Sequence, residues 1–251
     1  MNLKIANEII EWIKNYAIKH DMKTLVVGVS GGIDSAVVST LCASTGIETI
    51  VLNLPIASKK ENTDLSTFHC NWLKDNFSNI RKYCISLDDP YKSFEQTLRL
   101  YNFSNTLSNA NSKSRLRMMV LYYIAGCTNG IVVGTGNKVE DFGVGFFTKY
   151  GDGGVDISPI ADLTKTQVRE LGKYLRVSEE IINATPTDGL WEDSRSDEEQ
   201  IGASYEELEW AMKDDVDPQT DREKEVIKIY NSFHEKNKHK MMAIPVFKVK
   251  Q

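Results

Sequence analysis

The chain has 251 residues, with 30 lysines and arginines against 35 aspartates and glutamates, and a formal net charge of -5. A chain of this length buries one substantial core, so we expect a single domain over residues 1–251. The negative balance argues against general nucleic-acid binding, and no apolar run is long enough to cross a membrane. The four cysteines form no CxxC pair, which predicts reduced thiols in a cytoplasmic protein rather than a zinc or redox site.

Apolar periodicity predicts alternating helices and strands. A helix over residues 3–19 precedes a strand at 24–29, a helix ending near 43, a strand at 48–54, a helix at 62–77 and a strand at 80–87. Helices at 91–100 and 112–127, a strand at 131–135, helices at 162–176 and 221–236, and a short extended tail at 239–249 follow. This alternation predicts an α/β fold, with a doubly wound, mostly parallel sheet and helices on both faces.

A glycine-rich turn between the first strand and the next helix is the most informative stretch. Its residues are Gly28, Val29, Ser30, Gly31, Gly32, Ile33, Asp34 and Ser35. Such a turn directs backbone N–H groups and the positive end of a helix dipole at one point, which phosphate usually occupies. Because a carboxylate repels phosphate unless a cation lies between them, Asp34 is predicted to bind Mg²⁺. The alternative is a plain turn that needs glycine for its backbone. No Gly-Lys-Ser/Thr follows, so this is not a Walker loop.

A second glycine-containing turn, residues 134–137, directly follows the fourth strand. If the first and fourth strands are neighbours, both turns lie at the switch in strand order, where such sheets bind ligands. Glu140 would then lie near Asp34, and two carboxylates could share one Mg²⁺ at a triphosphate. The alternative for Glu140 is a solvated acid at a helix start.

Glycines and aromatic residues at 143–156 predict a compact functional loop.

Several motifs together resemble ammonia-dependent NAD synthetase, a family of the SGGxDS ATP pyrophosphatases. They are SGGIDSA, the run Ser114-Arg115-Leu116-Arg117-Met118, GTG with Glu140, and GFFTKYGDGGVDISP, which is the most specific of them. The resemblance covers most of the chain. It implies a Rossmann-like fold of the adenine nucleotide alpha hydrolase type and a ligase that amidates deamido-NAD with ammonia. ATP would be the co-substrate, and an NAD-adenylate would form with release of pyrophosphate and later AMP.

The resemblance also implies roles for individual residues. Residues 28–35, Thr135, Lys165 and Thr187 would contact ATP, and Asp34 with Glu140 would hold Mg²⁺. Asp34, Glu140 and Lys165 would be the catalytic residues. The residues facing deamido-NAD would be Arg115, Lys149, Asp156, His239 and Lys240. Many family members carry Asp-His after the GT pair, whereas this chain has Gly136-Asn137-Lys138.

Two segments are predicted to exclude water from a hydrolysable adenylate: residues 57–64 and the polar, acidic stretch 183–204. An ordinary surface loop is the alternative for the latter. Only 27 residues precede Gly28, too few for the amidotransferase domain that a glutamine-using enzyme needs, so we expect free ammonia rather than glutamine as the nitrogen donor. Another adenylating ligase, a tRNA-modifying thiolase and a non-catalytic nucleotide sensor are the rival functions. Unpaired cysteines and the negative charge disfavour the thiolase.

The predicted helix at 112–127 is apolar around most of its circumference and must be covered on more than one side. The resembled family is homodimeric, with the dinucleotide across the subunit interface. We therefore expect a homodimer, in which Arg115 at the start of this helix projects towards the shared site. The alternative is a fully buried core helix within one chain.

Overall fold

The computed structural model describes residues 2–58, 60–187, 189–190 and 195–249. In chain order, its first elements are α1 (Asn2–Lys19), β1 (Thr24–Gly28), α2 (Ile33–Ser44), β2 (Glu48–Asn53), α3 (Lys60–Asn76), β3 (Ile80–Cys84), α4 (Asp88–Arg99), α5 (Thr106–Cys127) and β4 (Gly130–Val132). They are followed by a π-helical segment (Val139–Val144), α6 (Lys165–Tyr174), α7 (Glu179–Ile182), α8 (Asp197–Ile201), α9 (Tyr205–Ala211) and α10 (Asp221–Met241).

The sheet is parallel, with the strand order β3-β2-β1-β4. Thr24 of β1 is level with Glu48 of β2 on one side and with Gly130 of β4 on the other. The chain therefore moves outward from β1 to β3 and then crosses back to place β4 beside β1. This confirms the predicted α/β fold and the predicted pairing of the first and fourth strands, and it puts the switch in strand order between β1 and β4.

Side chains of the central strand β1 enter two separate cores because successive residues point to opposite faces. Leu25 and Val27 pack in the core beneath α1, α2, α6 and α7, and Val26 packs on the other face with Ile50 and Leu121. All these side chains are fully or almost fully buried. A strand covered on both faces is typically a continuous apolar run in the sequence, and β1 contains such a run in Leu25, Val26 and Val27.

A third core joins the π-helical segment to α8, α9 and α10, and this part of the fold departs most from the sequence prediction. Val139, Ile201, Leu208 and Val226 pack together there. The helix α9 and the π-helical segment were not predicted. The extended tail at 239–249 was wrong in its first residues, because α10 continues to Met241. Its last turn carries Lys238, His239 and Lys240, and positive charge stabilises the C-terminus of a helix.

The two predicted lid segments are partly ordinary packed structure. Within 183–204, Asp188 and residues 191–194 lie outside the described residues. From Ser196 onward the expectation of few packing residues was wrong, since Ile201 and Ala203 are buried in the third core. Within 57–64, Lys59 lies outside the described residues and α3 begins at Lys60. The helix α5 begins at Thr106, six residues before the predicted start at 112. The Asn105 side chain caps this end of the helix by accepting a hydrogen bond from the Ser108 N–H.

None of the helices in the described part of the chain is long and apolar enough to span a membrane. All four cysteines are free thiols, as predicted. Cys42 and Cys70 are buried, whereas Cys84 and Cys127 are exposed.

Candidate functional site

The turn after β1 has the backbone that the sequence predicted. Gly31 has a φ of +94°, a conformation that favours glycine. Ser35 Oγ accepts from the Ser30 N–H at 3.1 Å, and the two serine hydroxyls are also 3.1 Å apart, so the turn is closed by its own side chains. The helix α2 starts at Ile33 with Gly32 as its N-cap, and no side chain caps it. Its first amides are therefore available to an anion.

Asp34 and Glu140 meet around a single lysine, although they are far apart in the sequence. Lys165 Nζ lies 2.5 Å from Asp34 Oδ2 and 3.0 Å from Glu140 Oε1. Only 3% of the lysine side chain is exposed. Lys165 is the first residue of α6, which Thr164 and Gln167 cap reciprocally. The structure thus brings together the three residues predicted to be catalytic, at the ends of β1 and β4.

Asn137 links the Asp34 carboxylate to the backbone at Glu140. It is fully buried, and its Nδ2 donates to Asp34 Oδ1 at 3.0 Å. Its Oδ1 accepts from the N–H groups of Val139 and Glu140, at 3.0 and 3.1 Å. One amide therefore fixes the Asp34 carboxylate and the backbone that carries Glu140.

Gly136 and Lys138, on either side of Asn137, belong to the same departure from the family pattern. Gly136 leaves room for the half-buried Asp141 carboxylate, because a Cβ at Gly136 would lie 2.1 Å from Asp141 Oδ2. Burial, followed by the charge of adjacent Glu140, raises the pKa of Asp141 to about 8. Lys138 forms an ion pair with Asp162 at 2.9 Å, on the outer side of the turn.

Tyr205 covers the carboxylates from the side of α9. Its hydroxyl donates to Glu140 Oε1 at 2.6 Å and lies 3.3 Å from Asp197 Oδ2. Its ring centroid is 4.6 Å from Lys165 Nζ, which places the ammonium over the aromatic face. Tyr205 is completely buried.

The ionisation of this cluster follows from burial and charge. Burial lowers the pKa of Lys165, but Asp34 and Glu140 outweigh that effect, so the pKa is raised overall and the lysine remains an ammonium. Burial raises the pKa of Glu140, an effect that Lys165 and the Tyr205 hydroxyl oppose. Burial and the neighbouring carboxylates raise the pKa of Tyr205, so its hydroxyl keeps its proton and acts as a donor.

The donor set fits a magnesium ion that is completed by a ligand. Asp34 and Glu140 supply oxygen atoms at one point, and oxygen is the donor that Mg²⁺ prefers. No group of three His, Cys, Asp or Glu side chains able to hold a metal occurs among the described residues. Mg²⁺ usually binds through one or two carboxylates together with phosphate and water, so two acids are sufficient here.

A second feature is an open cavity of about 570 Å³ beside α5. Its volume is in the range of small-molecule sites. Arg115, Lys149 and Lys240 line it together with Met118, Met119, Tyr122, Tyr150, Gly153, Gly154 and Val155. The structure thus brings three of the five residues predicted to face deamido-NAD into one cavity.

The other two, Asp156 and His239, do not line the cavity, but each contacts a residue that does. Asp156 Oδ1 accepts from the Tyr122 hydroxyl at 3.0 Å, and its Oδ2 accepts from the Val132 N–H at 2.8 Å. His239 is exposed, and its carbonyl accepts from Lys149 Nζ at 3.3 Å.

Lys240 fastens the loop that carries the GFFTKYGDGG motif. Its ammonium donates to the carbonyls of Gly145 and Phe147, at 2.6 and 2.8 Å, and lies 4.7 Å from the Phe147 ring centroid. Arg115 Nε adds a bond to the Lys149 carbonyl at 3.2 Å. Lys240 at the end of α10 and Arg115 near the middle of α5 therefore both hold this loop.

Thr135 and Thr187 are the two threonines predicted to contact ATP, and their surroundings say less about a binding site than those of the charged residues. Thr135 is half-buried, three residues beyond the end of β4. Thr187 Oγ1 accepts from the Gly189 N–H at 3.2 Å and lies 3.4 Å from the Arg195 carbonyl, so its observed contacts stay within its own segment.

Sequence reasoning missed Asn137 and Tyr205 as parts of the site. The start of α9 could have been found, because Ser204 and Glu207 form a capping box that the sequence displays as Ser-x-x-Glu. For Asn137, the sequence offers only its position in the turn after β4.

A parallel sheet with a glycine-rich turn, an uncapped helix start and paired acids at its switch point defines a doubly wound α/β protein of the nucleotide-binding type. The NAD synthase family model matches residues 5–244. An NH(3)-dependent NAD(+) synthetase from Staphylothermus marinus is 35% identical over 97% of this chain and 90% of its own. One from Carboxydothermus hydrogenoformans is 37% identical over 81% of this chain and 82% of its own.

Solved structures agree with these sequence matches. The NMN synthetase from Francisella tularensis has a TM-score of 0.90 and 31% identity, and the match covers 99% of each chain. The NH3-dependent NAD synthetase from Campylobacter jejuni has a TM-score of 0.79 and 26% identity, over 99% of this chain and 100% of that one.

The chain belongs to the NAD synthase family. The family reaction is the ATP-dependent amidation that forms NAD, and the protein is accordingly a ligase that forms a carbon–nitrogen bond with ATP as co-substrate.

Proposed function

We propose that the protein converts deamido-NAD to NAD with free ammonia. The nicotinate carboxylate attacks the α-phosphorus of ATP, which forms an NAD-adenylate and releases pyrophosphate. Ammonia then attacks the activated carbonyl carbon, loses a proton and displaces AMP. The observation that carries the proposal is the convergence of Asp34, Glu140 and Lys165 beside the glycine-rich turn. Departing pyrophosphate needs compensating positive charge, which Mg²⁺ held by the two acids would supply together with the Lys165 ammonium.

In this proposal residues Gly28 to Ser35 receive the ATP phosphates at the start of α2, whose first amides lack a side-chain cap. Lys165 is a buried ammonium that can pair with a phosphate oxygen. Thr135 and Thr187 are proposed ATP contacts on the strength of the motif resemblance.

Asp34 and Glu140 are the residues proposed to hold Mg²⁺, which when bound would neutralise charge on the leaving pyrophosphate. The support is that both carboxylates already face a single cation, the Lys165 ammonium. Asn137 and Tyr205 fix one oxygen of each acid.

The cavity beside α5 is the proposed site for deamido-NAD. Arg115 and Lys149 offer positive charge to its pyrophosphate, and Asp156 offers an acceptor to a sugar or base donor. Lys240 and His239 complete the proposed set. The Lys240 ammonium donates two hydrogen bonds to carbonyls of the loop. Its proposed role in binding deamido-NAD therefore includes holding this loop in its conformation.

The direct test measures pyrophosphate release from Mg²⁺·ATP with and without deamido-NAD, and NAD formation after ammonia is added. We expect release only with the dinucleotide. Release without it, or no NAD with all substrates present, contradicts the proposal.

A mononucleotide substrate is the second candidate, and one observation favours it. The Francisella NMN synthetase matches this fold with a higher TM-score than the Campylobacter NAD synthetase, 0.90 against 0.79. Parallel assays with nicotinate mononucleotide and deamido-NAD decide between them. A higher kcat/KM for the mononucleotide assigns the chain to NMN formation by the same two chemical steps.

Free ammonia as the nitrogen donor is supported by the names of the curated relatives, which are NH(3)-dependent. The protein is assayed with ammonium chloride and with glutamine freed of ammonia. Equal turnover with glutamine contradicts this part of the proposal.

We also propose a homodimer with the substrate cavity at its interface. Only one stripe of α5 is buried, namely Ala110, Ser114, Met118, Leu121 and Ala125, so the alternative of a fully buried core helix was wrong. Met119 and Tyr123 on α5 are 63% and 74% exposed. Further exposed apolar side chains on α4, the α4–α5 connection and the first turn of α5 are Phe94, Leu98, Leu100, Tyr101, Phe103 and Leu107. A patch of this kind marks an interaction surface.

Light scattering at micromolar concentration tests the assembly. Twice the chain mass of 28.3 kDa is expected, and a fully active monomer contradicts a shared site.

We propose in addition that residues 1–251 act as one functional domain in the cytoplasm. The family match over residues 5–244 supports the first statement, and four free thiols support the second.

A further inference from the structure

We propose that Tyr205 is a positioning residue for the reaction, which orients the Glu140 carboxylate and the Lys165 ammonium from the side of α9. This inference rests on the proposed function, because it assigns those two groups their part in the chemistry.

The contacts of Tyr205 are directed at the charged groups of the site. Glu140 Oε1 accepts from both Tyr205 and Lys165, at 2.6 and 3.0 Å. Two donors on the same oxygen fix the rotation of the carboxylate about its last torsion, and thus the direction of its other oxygen. The aromatic ring lies 4.6 Å from the same ammonium, so one side chain restrains both members of the ion pair.

The tyrosine is itself held by its own helix and by two neighbouring elements. Ser204 and Glu207 cap α9 at Tyr205, and Glu209 Oε1 accepts from the Thr166 N–H, next to Lys165, at 2.8 Å. Asp197 Oδ2, at the start of α8, lies 3.3 Å from the hydroxyl. The hydroxyl and ring of Tyr205 therefore relate the position of α8 and α9 to Glu140 and Lys165.

A purely structural role would give Tyr205 the effect of any buried tyrosine, and Tyr91 offers the matched comparison. Tyr91 is 9% exposed on α4, and its hydroxyl donates to the Asn109 carbonyl at 3.2 Å. Tyr91→Phe and Tyr205→Phe each remove one oxygen atom and leave the ring to fill its space.

The experiment compares the two variants with the wild type in four measurements. These are kcat, KM for the nucleotide carboxylate substrate, the Mg²⁺ concentration at half-maximal rate, and the affinity for Mg²⁺·ATP by calorimetry without the second substrate. For Tyr205→Phe we expect kcat to fall about 10- to 100-fold, as for a lost hydrogen bond to a charged group, with KM changed less than threefold. We also expect a higher Mg²⁺ midpoint and weaker Mg²⁺·ATP binding. Tyr91→Phe is expected to match the wild type in all four.

Tyr205→Phe with wild-type kcat and Mg²⁺ midpoint overturns the inference, and so does an equal loss in Tyr91→Phe. Urea unfolding shows whether each variant is folded. A poorly folded Tyr205→Phe is assayed in trimethylamine N-oxide, which favours the folded state, and is judged by the same criteria. Inactivity of the wild type itself counts against the proposed function instead, so the two failures are distinguishable.

Discussion

Replacing Lys165 with methionine tests whether Asp34 and Glu140 are held as buried charges. Removing one partner of a buried ion pair typically costs about 3–5 kcal/mol, because the other charge remains uncompensated. The two carboxylate side chains retain 15% and 17% of their exposure, so water can reach them in part. We therefore expect Lys165→Met to lower the free energy of unfolding by about 3 kcal/mol at neutral pH, the low end of that range.

Urea unfolding with and without Mg²⁺ gives the measurement. In the variant, Mg²⁺ has no ammonium to displace and should restore part of the loss, by about 2.7 kcal/mol at one hundred times its Kd. Lys173→Met is the control, since Lys173 is exposed on the same helix and its loss should change stability by less than about 0.5 kcal/mol. If Lys165→Met costs no more than Lys173→Met, or if Mg²⁺ stabilises it no more than the wild type, the buried-charge argument is wrong.

Three further predictions concern the acids, the cavity and a buried histidine. Asp34→Asn or Glu140→Gln should abolish adenylate formation while circular dichroism stays unchanged, and near-normal pyrophosphate release would remove that residue from the site. Arg115→Ala should raise KM for deamido-NAD more than KM for ATP, and an equal rise in steady-state kinetics would contradict its assignment to the cavity. Burial lowers the pKa of His69 from 6.5 to about 4, so the unfolded chain binds a proton that the folded one does not. The stability present above pH 6.5 should therefore be lost as pH falls towards 4, by about 3 kcal/mol, and urea unfolding of His69→Gln should lack that share of the pH dependence.

The β1–turn–α2 unit was readable from sequence because its signals are local. A continuous apolar run, glycines and a following helical pattern lie within about twenty residues, and the structure places β1 and α2 there. The meeting of Asp34 and Glu140 was also predictable, because parallel strands bring their carboxyl ends to one edge once β1 and β4 are paired.

What sequence reasoning could not supply depends on tertiary contacts. Asn137 acts through the direction of one buried amide, and Tyr205 through a helix that packs against the third core. The extent of α10 was a different kind of error. Its basic last turn was interpreted as a ligand-binding tail, whereas the same charges also stabilise a helix C-terminus.

The late position of β4 in the chain has a consequence for folding. β1 and β2 lie close in sequence and can pair early in folding. β1 pairs with β4 only when Thr24 and Gly130 come together, and closing so long a loop slows folding. Asp34 and Glu140 lie beyond these last-paired strands, so a folding intermediate with only β1, β2 and β3 has no completed acid pair. A nucleotide bound across β1 and β4 would accordingly favour the fully assembled sheet over its partly formed precursors.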